Sequence, residues 1–307
     1  MFKNIIAAYK KMVGRGLFAL KKIAKVPIGL PSKFLYVKTA IKAGMLSGIY
    51  TRDKNRDLLQ TQYINSKKWD YLIILDACRY DAFEKYVWEY MDGKLMRAIS
   101  PGGYTRKWFK RTWVKNYKDV IYISANPAIM KKDLLTISRK FFRIVKVWER
   151  YWSKTACTVP PWNMNKAVLH ELKIMKIRKK LRISSTKRIV IHYIQPHFPY
   201  IAGPINFSKL CDFYINSSIN IRTSRAVLVH LLNVLKDVEK VNKILRISYE
   251  ENLKLVLKFV AELISYLQGR VVITSDHGEL LGEHGLYFHP IDAYIPELRH
   301  VPLFIVK

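Results

Sequence analysis

Short runs of aliphatic and β-branched residues are the feature that most restricts what this chain can fold into. They are separated by longer stretches in which apolar residues recur at helical spacing. The segment 249–267 has that spacing and stops before Gly269, a residue typical of helix ends. Strands that alternate with helices predict an α/β fold with a doubly wound, mostly parallel sheet flanked by helices. The strand candidates are 71–75, 120–124, 188–194 and 270–274.

Polar residues suited to metal binding or catalysis follow these runs. Asp76 comes directly after the first run, and Asp276 and His277 come just after the last. Because the carboxyl ends of parallel strands meet at one edge of a sheet, we expect these side chains to converge there. Carboxylate oxygens and imidazole nitrogens together can hold a divalent metal ion. Further candidates for the same edge are the loop 100–105, the segment 195–200 and His289.

The charge balance is strongly basic, with 54 Lys and Arg against 23 Asp and Glu and a formal net charge of +31. Hydrophobic residues make up 50% of the chain, which excludes an intrinsically disordered protein. A field of this sign attracts polyanions. The expected partners are therefore an anionic phosphate-ester or sulfate-ester substrate, an anionic membrane surface, or nucleic acid.

The first 52 residues contain eleven Lys and Arg and no acidic residue. Segments 1–20 and 34–46 mix Phe, Ile, Leu and Met with Lys at roughly helical spacing. This pattern favours an amphipathic element that lies on an anionic membrane surface through residues 1–52. The alternative is a solvated basic helix packed on the main domain.

Targeting signals and cysteine usage suggest a compartment. Lys and Arg interrupt every apolar run near the N-terminus, so neither a signal peptide nor a transmembrane helix is predicted. The cysteines are Cys78, Cys157 and Cys211, and their spacing suggests no disulfide framework and no metal site. We therefore expect a cytoplasmic protein that can lie peripherally at the membrane.

The composition also suggests a domain division. The simplest one is a basic amphipathic N-terminal extension, 1–67, followed by an α/β catalytic domain, 68–307. Two regions of that domain have a helical pattern and are expected to be insertions, around 131–182 and 202–247.

Several motifs occur in an order that resembles a known family. They are Asp76 after an apolar strand, Thr105 in a loop with glycines, the Pro-His-x-Pro-Tyr segment 196–200, and an Asp-His-Gly-Glu-x-x-Gly-Glu segment that begins at Asp276 and is followed by His289. This order resembles the alkaline phosphatase superfamily, and within it the sulfatase-like branch that includes phosphoethanolamine and phosphoglycerol transferases. The resemblance covers roughly residues 68–307. It implies the α/β fold of that superfamily and chemistry on phosphate esters.

The resemblance also implies roles for the motif residues. Asp76, Asp276 and His277 would hold one divalent metal ion, Zn²⁺ or Mn²⁺, and the hydroxyl of Thr105 would complete the set. Thr105 would be the nucleophile, since a bound cation lowers the pKa of a hydroxyl that is otherwise poorly reactive.

Two histidines are implied as partners of the transferred group. His197 and His289 would hold its oxygens, and one of them would protonate the leaving oxygen. The resulting expectation is a metal-dependent hydrolase or transferase that acts on phosphate esters through a phosphothreonine intermediate. Whether water or an alcohol accepts the group stays open.

Alternatives remain at this point. Ser100 is a second candidate nucleophile, and Asp76 by itself could cap the helix that follows it. No cysteine lies in the Cys-x-Pro-x-Arg context that formylglycine sulfatases need, so a sulfuryl-ester hydrolase would have to act without formylglycine. The alternative in another class is a non-catalytic basic protein that keeps the fold and binds a membrane or nucleic acid.

Three further expectations concern neighbours of the motifs. Arg79 and Asp81 either contact substrate or pair with each other. His284 is expected at the surface or behind the site. No second Asp-x-x-x-His motif is found, so we expect one metal ion.

Overall fold

The predicted apolar runs form strands at the centre of one sheet in the computed structural model. Their side chains are almost all buried, because helices cover both faces of the sheet. Burial on both faces explains why the runs are continuously apolar and do not alternate with polar residues. The residues that the structure describes are 42–47, 58–181, 188–204, 228, 231–233, 235–289 and 292–307.

Strands pair in one large sheet and one small hairpin within the described residues. The strands are β1 (Leu58–Leu59), β2 (Tyr71–Leu75), β3 (Gly93–Ile99), β4 (Tyr117–Ser124), β5 (Phe141–Lys146), β6 (Arg188–Tyr193), β7 (Val271–Thr274), β8 (Leu280–Leu281), β9 (Tyr287–Phe288) and β10 (His300–Val306). The large sheet has the order β1-β3-β10-β7-β2-β6-β4-β5, and β8 pairs with β9. Strands β7, β2, β6, β4 and β5 are parallel, whereas β10 is antiparallel to both of its neighbours. The predicted mostly parallel α/β fold is confirmed.

Helices connect these strands and pack on both faces. The helices are α1 (Gln60–Asn65), α2 (Tyr80–Tyr86), α3 (Thr105–Thr112), α4 (Leu135–Ser138), α5 (Val147–Tyr151), α6 (Pro161–Lys180), α7 (Val238–Ile264) and α8 (Pro296–Arg299). Short 3₁₀ turns occupy Val87–Glu89, Pro127–Met130, Lys132–Leu134 and Glu283–Gly285, and 42–47 is helical. The predicted 249–267 helix is the C-terminal part of α7, which begins after an Asp237 side chain that caps the amide of Lys240.

The strand β2 divides the core into two clusters. Ile73 and Leu75 pack with residues of α2, α6 and α7 on one face. Leu72 and Ile74 pack with residues of α1 and α3 on the other. All four side chains are fully buried, and each contributes about 1.5–3 kcal/mol to the free energy of folding. The site-bearing strands are therefore held rigidly from both sides.

Four strands of the large sheet were not predicted: β1, β3, β5 and β10. Strands β3 and β5 carry charged side chains between their apolar ones, since β5 is an edge strand and β3 has only the two-residue β1 outside it. Strand β10 contains Pro302, a residue that usually argues against an inner strand. The expectation that 131–182 is a helical insertion is only partly right, because this region contains β5 as well as α6.

The end of the predicted N-terminal extension is built into the sheet. Strand β1 pairs with β3, and the buried Gln60 side chain donates to Thr274 Oγ1 at 2.7 Å and to the Ser275 carbonyl at 2.5 Å. Its own carbonyl oxygen accepts from Trp108 Nε1 at 2.8 Å. Most of 1–52 and of 202–247 lies outside the described residues, so the division there stays a prediction. Among the described residues no helix is both long and apolar enough to cross a membrane.

The described cysteines differ from the expectation of no disulfide. Cys78 is free and buried, whereas Cys157 is disulfide-bonded. The spacing of the cysteines in the sequence did not predict this bond, because two cysteines can pair only where the fold brings them close together. The cytoplasmic localisation stays a prediction.

Candidate functional site

Two aspartates lie side by side at the carboxyl edge of the sheet. Asp76 follows β2 and Asp276 follows β7, and these strands are parallel neighbours with Ile74 opposite Thr274. Both carboxylates are almost completely buried. Asp276 Oδ1 accepts from the amides of Ala77 at 3.1 Å and His277 at 2.9 Å. The other oxygen, Oδ2, has no hydrogen-bond partner among the described residues.

The turn after Asp76 is fixed by contacts of its backbone. Ala77 has a left-handed backbone with φ of 58°, and its carbonyl accepts from the Tyr249 hydroxyl of α7 at 2.8 Å. The same hydroxyl accepts from the amide of Arg79 at 2.9 Å. The residue that precedes α2 as its cap is Arg79, so Asp76 does not cap this helix. Its carboxylate is left for the site.

His277 joins the two aspartates to the predicted nucleophile. Its Nε2 lies 3.5 Å from Asp76 Oδ1, 3.4 Å from Asp276 Oδ2 and 3.4 Å from Thr105 Oγ1. Its Nδ1 lies 2.8 Å from the Gly278 carbonyl, which can only accept a proton. Nδ1 therefore carries the hydrogen, and the lone pair of Nε2 faces the oxygens. We call Asp76, Thr105, Asp276 and His277 the strand-end group.

Thr105 is the first residue of α3 and is 8% exposed. The preceding loop packs closely against this helix, since a Cβ added at Gly102 would lie 2.3 Å from the Trp108 nitrogen. Asn126, which follows β4, places Nδ2 3.5 Å from Thr105 Oγ1 and also donates to Asp76 Oδ2. Amides at a helix start favour an anion. The hydroxyl of Thr105 thus lies beside His277 Nε2 and Asn126 Nδ2, at the start of a helix.

Ser100, the other candidate nucleophile, has a different environment. It is fully buried. Its hydroxyl contacts the Asp276 carbonyl and lies 2.9 Å from the Gly102 carbonyl. The Gly102 amide donates to it at 3.2 Å. Ser100 therefore ties the 100–105 loop to the β7 end.

A second group lies beside the first. Carboxylate oxygens or ring nitrogens of His197, Glu279 and His289 lie within 4.8 Å of one another, and we call these residues the histidine group. His289 Nδ1 is 2.8 Å from Glu279 Oε1. The ring of His289 lies 4.6 Å from that of His277 and 5.1 Å from that of His197, measured between centroids. The structure thus brings all six predicted site residues to one edge.

The two groups differ in their proton affinities. Burial raises the pKa of Asp76 well above its usual value, and the Asp276 carboxylate raises it further. Burial lowers the pKa of His277 well below 6.5. Burial also disfavours a charged His289, but the Glu279 carboxylate outweighs it and raises the pKa of His289. Glu279 itself is buried, and His289 is the main group that keeps its pKa low.

Sequence reasoning missed His192, the second-to-last residue of β6. Its Nε2 is 3.7 Å from Asp76 Oδ2 and 4.0 Å from Asp276 Oδ2, and its Nδ1 is 2.9 Å from the Tyr122 hydroxyl. Burial lowers its pKa to about 4. Asp76, His192 and Asp276 form a group that could hold a metal ion. The available signal was a lone histidine in an otherwise apolar buried strand.

A network of ion pairs supports the segment after Asp276. Arg79 binds Asp81 through Nε at 2.9 Å and Nη2 at 2.6 Å, which decides the pairing that the sequence left open. Its Nη1 binds Glu283 Oε1 at 2.5 Å and the Glu279 carbonyl at 3.2 Å. Arg246 of α7 binds the same Glu283 oxygen at 2.6 Å. This network holds the loop that carries Glu279.

Another neighbour of the motifs, His284, lies behind the loop. Its Nε2 is 3.6 Å from Glu297 of α8, and its side chain is 27% exposed. The expected place of His284 at the surface or behind the site agrees with this position.

The strand-end group has part of the spacing of a tetrahedral cation site. Four ligands about 2.0–2.1 Å from a Zn²⁺ ion lie about 3.4 Å from one another. His277 Nε2 has that spacing to an oxygen of each of the other three residues. His192 Nε2 is farther from both carboxylates. Because Asp76 Oδ1 and Asp276 Oδ2 are buried and lack partners among the described residues, a cation would satisfy both.

Comparisons with known proteins find similarity in structure. No family model matches the chain, and no curated protein sequence matches it. The soluble domain of lipooligosaccharide phosphoethanolamine transferase A from Neisseria meningitidis is similar, with 13% identity, a TM-score of 0.47, and coverage of 77% of this chain and 75% of that one. The C-terminal periplasmic domain of EcEptC from Escherichia coli, in complex with Zn, has 15% identity, a TM-score of 0.42 and coverage of 77% and 72%.

An alkaline phosphatase superfamily protein from Vibrio parahaemolyticus is also similar, with 11% identity and a TM-score of 0.42. The match covers 78% of this chain and 60% of that one. The structural neighbours are thus phosphoethanolamine transferases and alkaline phosphatase superfamily proteins, the kinds of protein that the motifs resemble.

Proposed function

We propose that this protein is a metal-dependent enzyme that transfers the phosphoryl group of a phosphate ester through Thr105. One observation carries the proposal: His277 Nε2 lies within 3.5 Å of an oxygen of Asp76, Asp276 and Thr105. Buried acceptors without a donor between them are unfavourable unless a cation lies among them.

The strand-end group would hold one divalent ion. Two carboxylates, an imidazole and a hydroxyl suit Zn²⁺, and Mn²⁺ accepts the same donors. When bound, the ion lowers the pKa of the Thr105 hydroxyl and neutralises negative charge on the transferred group. Gly278 supports this arrangement, since a Cβ there would lie 1.9 Å from the Glu297 carbonyl. The backbone beside His277 therefore packs directly on α8.

Thr105 would act as the nucleophile. Its hydroxyl would give its proton to solvent, and its oxygen would attack phosphorus in line with the leaving group. The Thr105–phosphorus bond forms as the bond from phosphorus to the leaving oxygen breaks. Asn126 Nδ2, 3.5 Å from Thr105 Oγ1, can donate to a phosphoryl oxygen at this point.

The histidine group supplies a proton. Burial disfavours a charged His289, but Glu279 raises the pKa of this side chain, which favours His289 as the group that would carry a proton to the leaving oxygen. His197 lies next to it and can donate to another phosphoryl oxygen. In the second step His289 takes a proton from water or an acceptor alcohol, which attacks the phosphothreonine and releases Thr105. Hydrolysis and transfer differ only in this acceptor.

Metal content is the first test. The purified wild-type chain should bind about one Zn²⁺ or Mn²⁺ per chain, measured by elemental analysis after dialysis. Replacing Asp276 with Ala should remove both the metal and turnover. His284→Asn is the matched control, because Asn tolerates the left-handed backbone of that residue, φ 56°. Full turnover by Asp276→Ala would refute the site.

The substrate class is tested with aryl phosphate monoesters, phosphate diesters and sulfate esters side by side. We expect turnover of a phosphate ester. Turnover of sulfate esters alone would refute the phosphoryl assignment, and no turnover of any ester by metal-loaded protein would favour a non-catalytic binding protein. Peptide mapping after quenching should find the phosphoryl group on Thr105, whereas a phosphorylated Ser100 would move the nucleophile.

A further inference from the structure

The outer face of α6 combines exposed lysines with exposed apolar side chains. At 100° per residue, Trp162, Lys166, Lys173, Ile177 and Lys180 fall within an arc of about 60°. All five side chains are exposed. The opposite side of the helix is buried, with Met164 and Val168 in the core cluster that contains α7. We call the exposed stripe, together with Lys176 and Leu181 beside it, the α6 face.

The charge of the α6 face has one sign. Among residues 161–180 the only acid is Glu171, which is 8% exposed and pairs with Arg143 of β5. That carboxylate is turned toward the sheet and does not neutralise the outer stripe. The lysines therefore present a continuous positive surface to any anionic partner.

The apolar members of the face are exposed. Trp162 is 40% exposed, Ile177 58% and Leu181 61%. The indole of Trp162 is 5.7 Å from the Phe259 ring of α7, which extends the apolar surface onto the neighbouring helix. Tryptophan with aliphatic residues and lysine on one stripe is the composition of helices that lie in a lipid interface.

We propose that the α6 face docks on an anionic lipid surface. Lysines give attraction to acidic headgroups, and the indole and the two aliphatic side chains enter the boundary between headgroups and acyl chains. Nucleic acid is a less suitable partner, because its phosphate backbone makes no apolar contacts with the exposed side chains of Ile177 and Leu181. This inference does not depend on the proposed phosphoryl transfer.

The position of α6 relates the docking surface to the site. Its first turn lies at the carboxyl edge of the sheet, since the carbonyl of Val159 accepts from Gln195 Nε2 at 3.2 Å. Gln195 is two residues before His197 of the histidine group. A lipid surface in contact with the N-terminal end of α6 is therefore close to the edge at which the site opens.

Vesicle binding tests the docking surface with the full chain. The probe is co-sedimentation with phosphatidylcholine vesicles and with vesicles of equal parts phosphatidylcholine and phosphatidylglycerol. The wild-type chain should bind the acidic vesicles, and more weakly at high salt. The triple variant Lys166→Gln, Lys173→Gln, Lys180→Gln should bind them about 5-fold more weakly per lysine, or about 100-fold in total.

A matched variant removes the same charge elsewhere. Lys68, Lys115 and Lys132 are exposed and flank residues of the other core cluster. Their replacement with Gln should leave vesicle affinity within about 3-fold of wild type, since only long-range attraction is lost. Equal losses in the two triple variants would overturn the proposal, because they would indicate a response to net charge alone.

The apolar contribution separates lipid from nucleic acid. Ile177→Ser with Leu181→Ser should weaken binding to acidic vesicles about 10-fold or more, because both side chains lose apolar contact with lipid. Binding to a single-stranded DNA oligonucleotide should not change. Unchanged vesicle affinity in this variant would overturn the lipid assignment. Circular dichroism and thermal unfolding of each variant establish that α6 still folds.

Discussion

The strand-end group and the histidine group lie next to each other, yet their charges are balanced in different ways. Asp76, Asp276 and the lone pair of His277 all accept, and one buried oxygen of each carboxylate, Asp76 Oδ1 and Asp276 Oδ2, lacks a donor among the described residues. Glu279 and His289, in contrast, form a hydrogen-bonded pair in which Glu279 raises the pKa of His289. Under the proposed function, the first group would take a cation from outside, whereas the second would carry a proton. One edge of the sheet would then provide a metal site and an acid separately.

The largest effect is expected from removing the nucleophile. Thr105→Ala should lower kcat by about 10⁴-fold or more, since no other hydroxyl in the group can form the intermediate. Thr105→Ser should retain measurable turnover, and both should retain metal through the three remaining ligands. Steady-state kinetics with a chromogenic phosphate ester measures this. Comparable turnover by the Ala variant would make Thr105 only a ligand.

Removing the acid should separate the two groups. His289→Asn should lower kcat by about 10²–10⁴-fold, most strongly for esters with poor leaving groups. Metal content should stay the same, because His289 belongs to the histidine group. A parallel loss of metal in elemental analysis would show that the histidine group also binds an ion, against the expectation of one metal.

The ion pairs that hold the loop beneath both groups should contribute to stability. Burial raises the pKa of Glu283, but Arg79 outweighs this effect and, with backbone amides of the loop, lowers it from 4.5 to about 2. A lowered folded-state pKa contributes stability above pH 4.5 that is lost as the pH falls toward about 2. Glu283→Gln should therefore cost about 3 kcal/mol at pH 7.

Urea unfolding with a chelator present, at several pH values, tests this dependence. The difference between wild type and Glu283→Gln should shrink below pH 4.5 and approach zero near pH 2. A difference that does not change with pH would assign the effect to packing of the loop. Arg270, whose partner Asp70 is far more exposed, offers a control pair, and Asp70→Asn should cost much less.

A smaller effect is expected at His192, which lies under both aspartates. His192→Asn should weaken metal binding about 10–100-fold, as is usual for a residue that supports ligands. Turnover at saturating metal should change little. Loss of metal as complete as in Asp276→Ala, measured by titration with a chelator, would make His192 a ligand in place of His277.

The sequence predicted the site residues that come soon after strands made almost entirely of apolar residues. The strands before Asp76 and Asp276 are apolar on both faces, so their ends could be located and their side chains placed at one edge. His192 was missed because it lies inside such a strand, where composition indicates core. Asn126 follows a predicted strand, but an asparagine after a strand is ordinary turn chemistry. Asn126, Asp76 and Thr105 come from three separate segments, and only the folded structure brings them into contact.

Glu279 lies between these cases. The motif contained it, but its pairing with His289 depends on the hairpin of β8 and β9. Each of these strands has only two residues, and strands this short have no recognisable sequence pattern. Strand β10 was missed for a related reason. Its position between β3 and β7 comes from the sheet as a whole, and Pro302 in it argued locally against a strand.

The left-handed backbone of Ala77 restricts which residues can follow Asp76. A residue with a Cβ costs about 1–2 kcal/mol in this conformation, and a β-branched residue costs more. Glycine would relieve that cost but would add freedom to the unfolded chain, so Ala77→Gly should be nearly neutral. Only a few small residues are therefore tolerated at this position. Val or Ile would be disfavoured because they destabilise the fold, whether or not they affect catalysis.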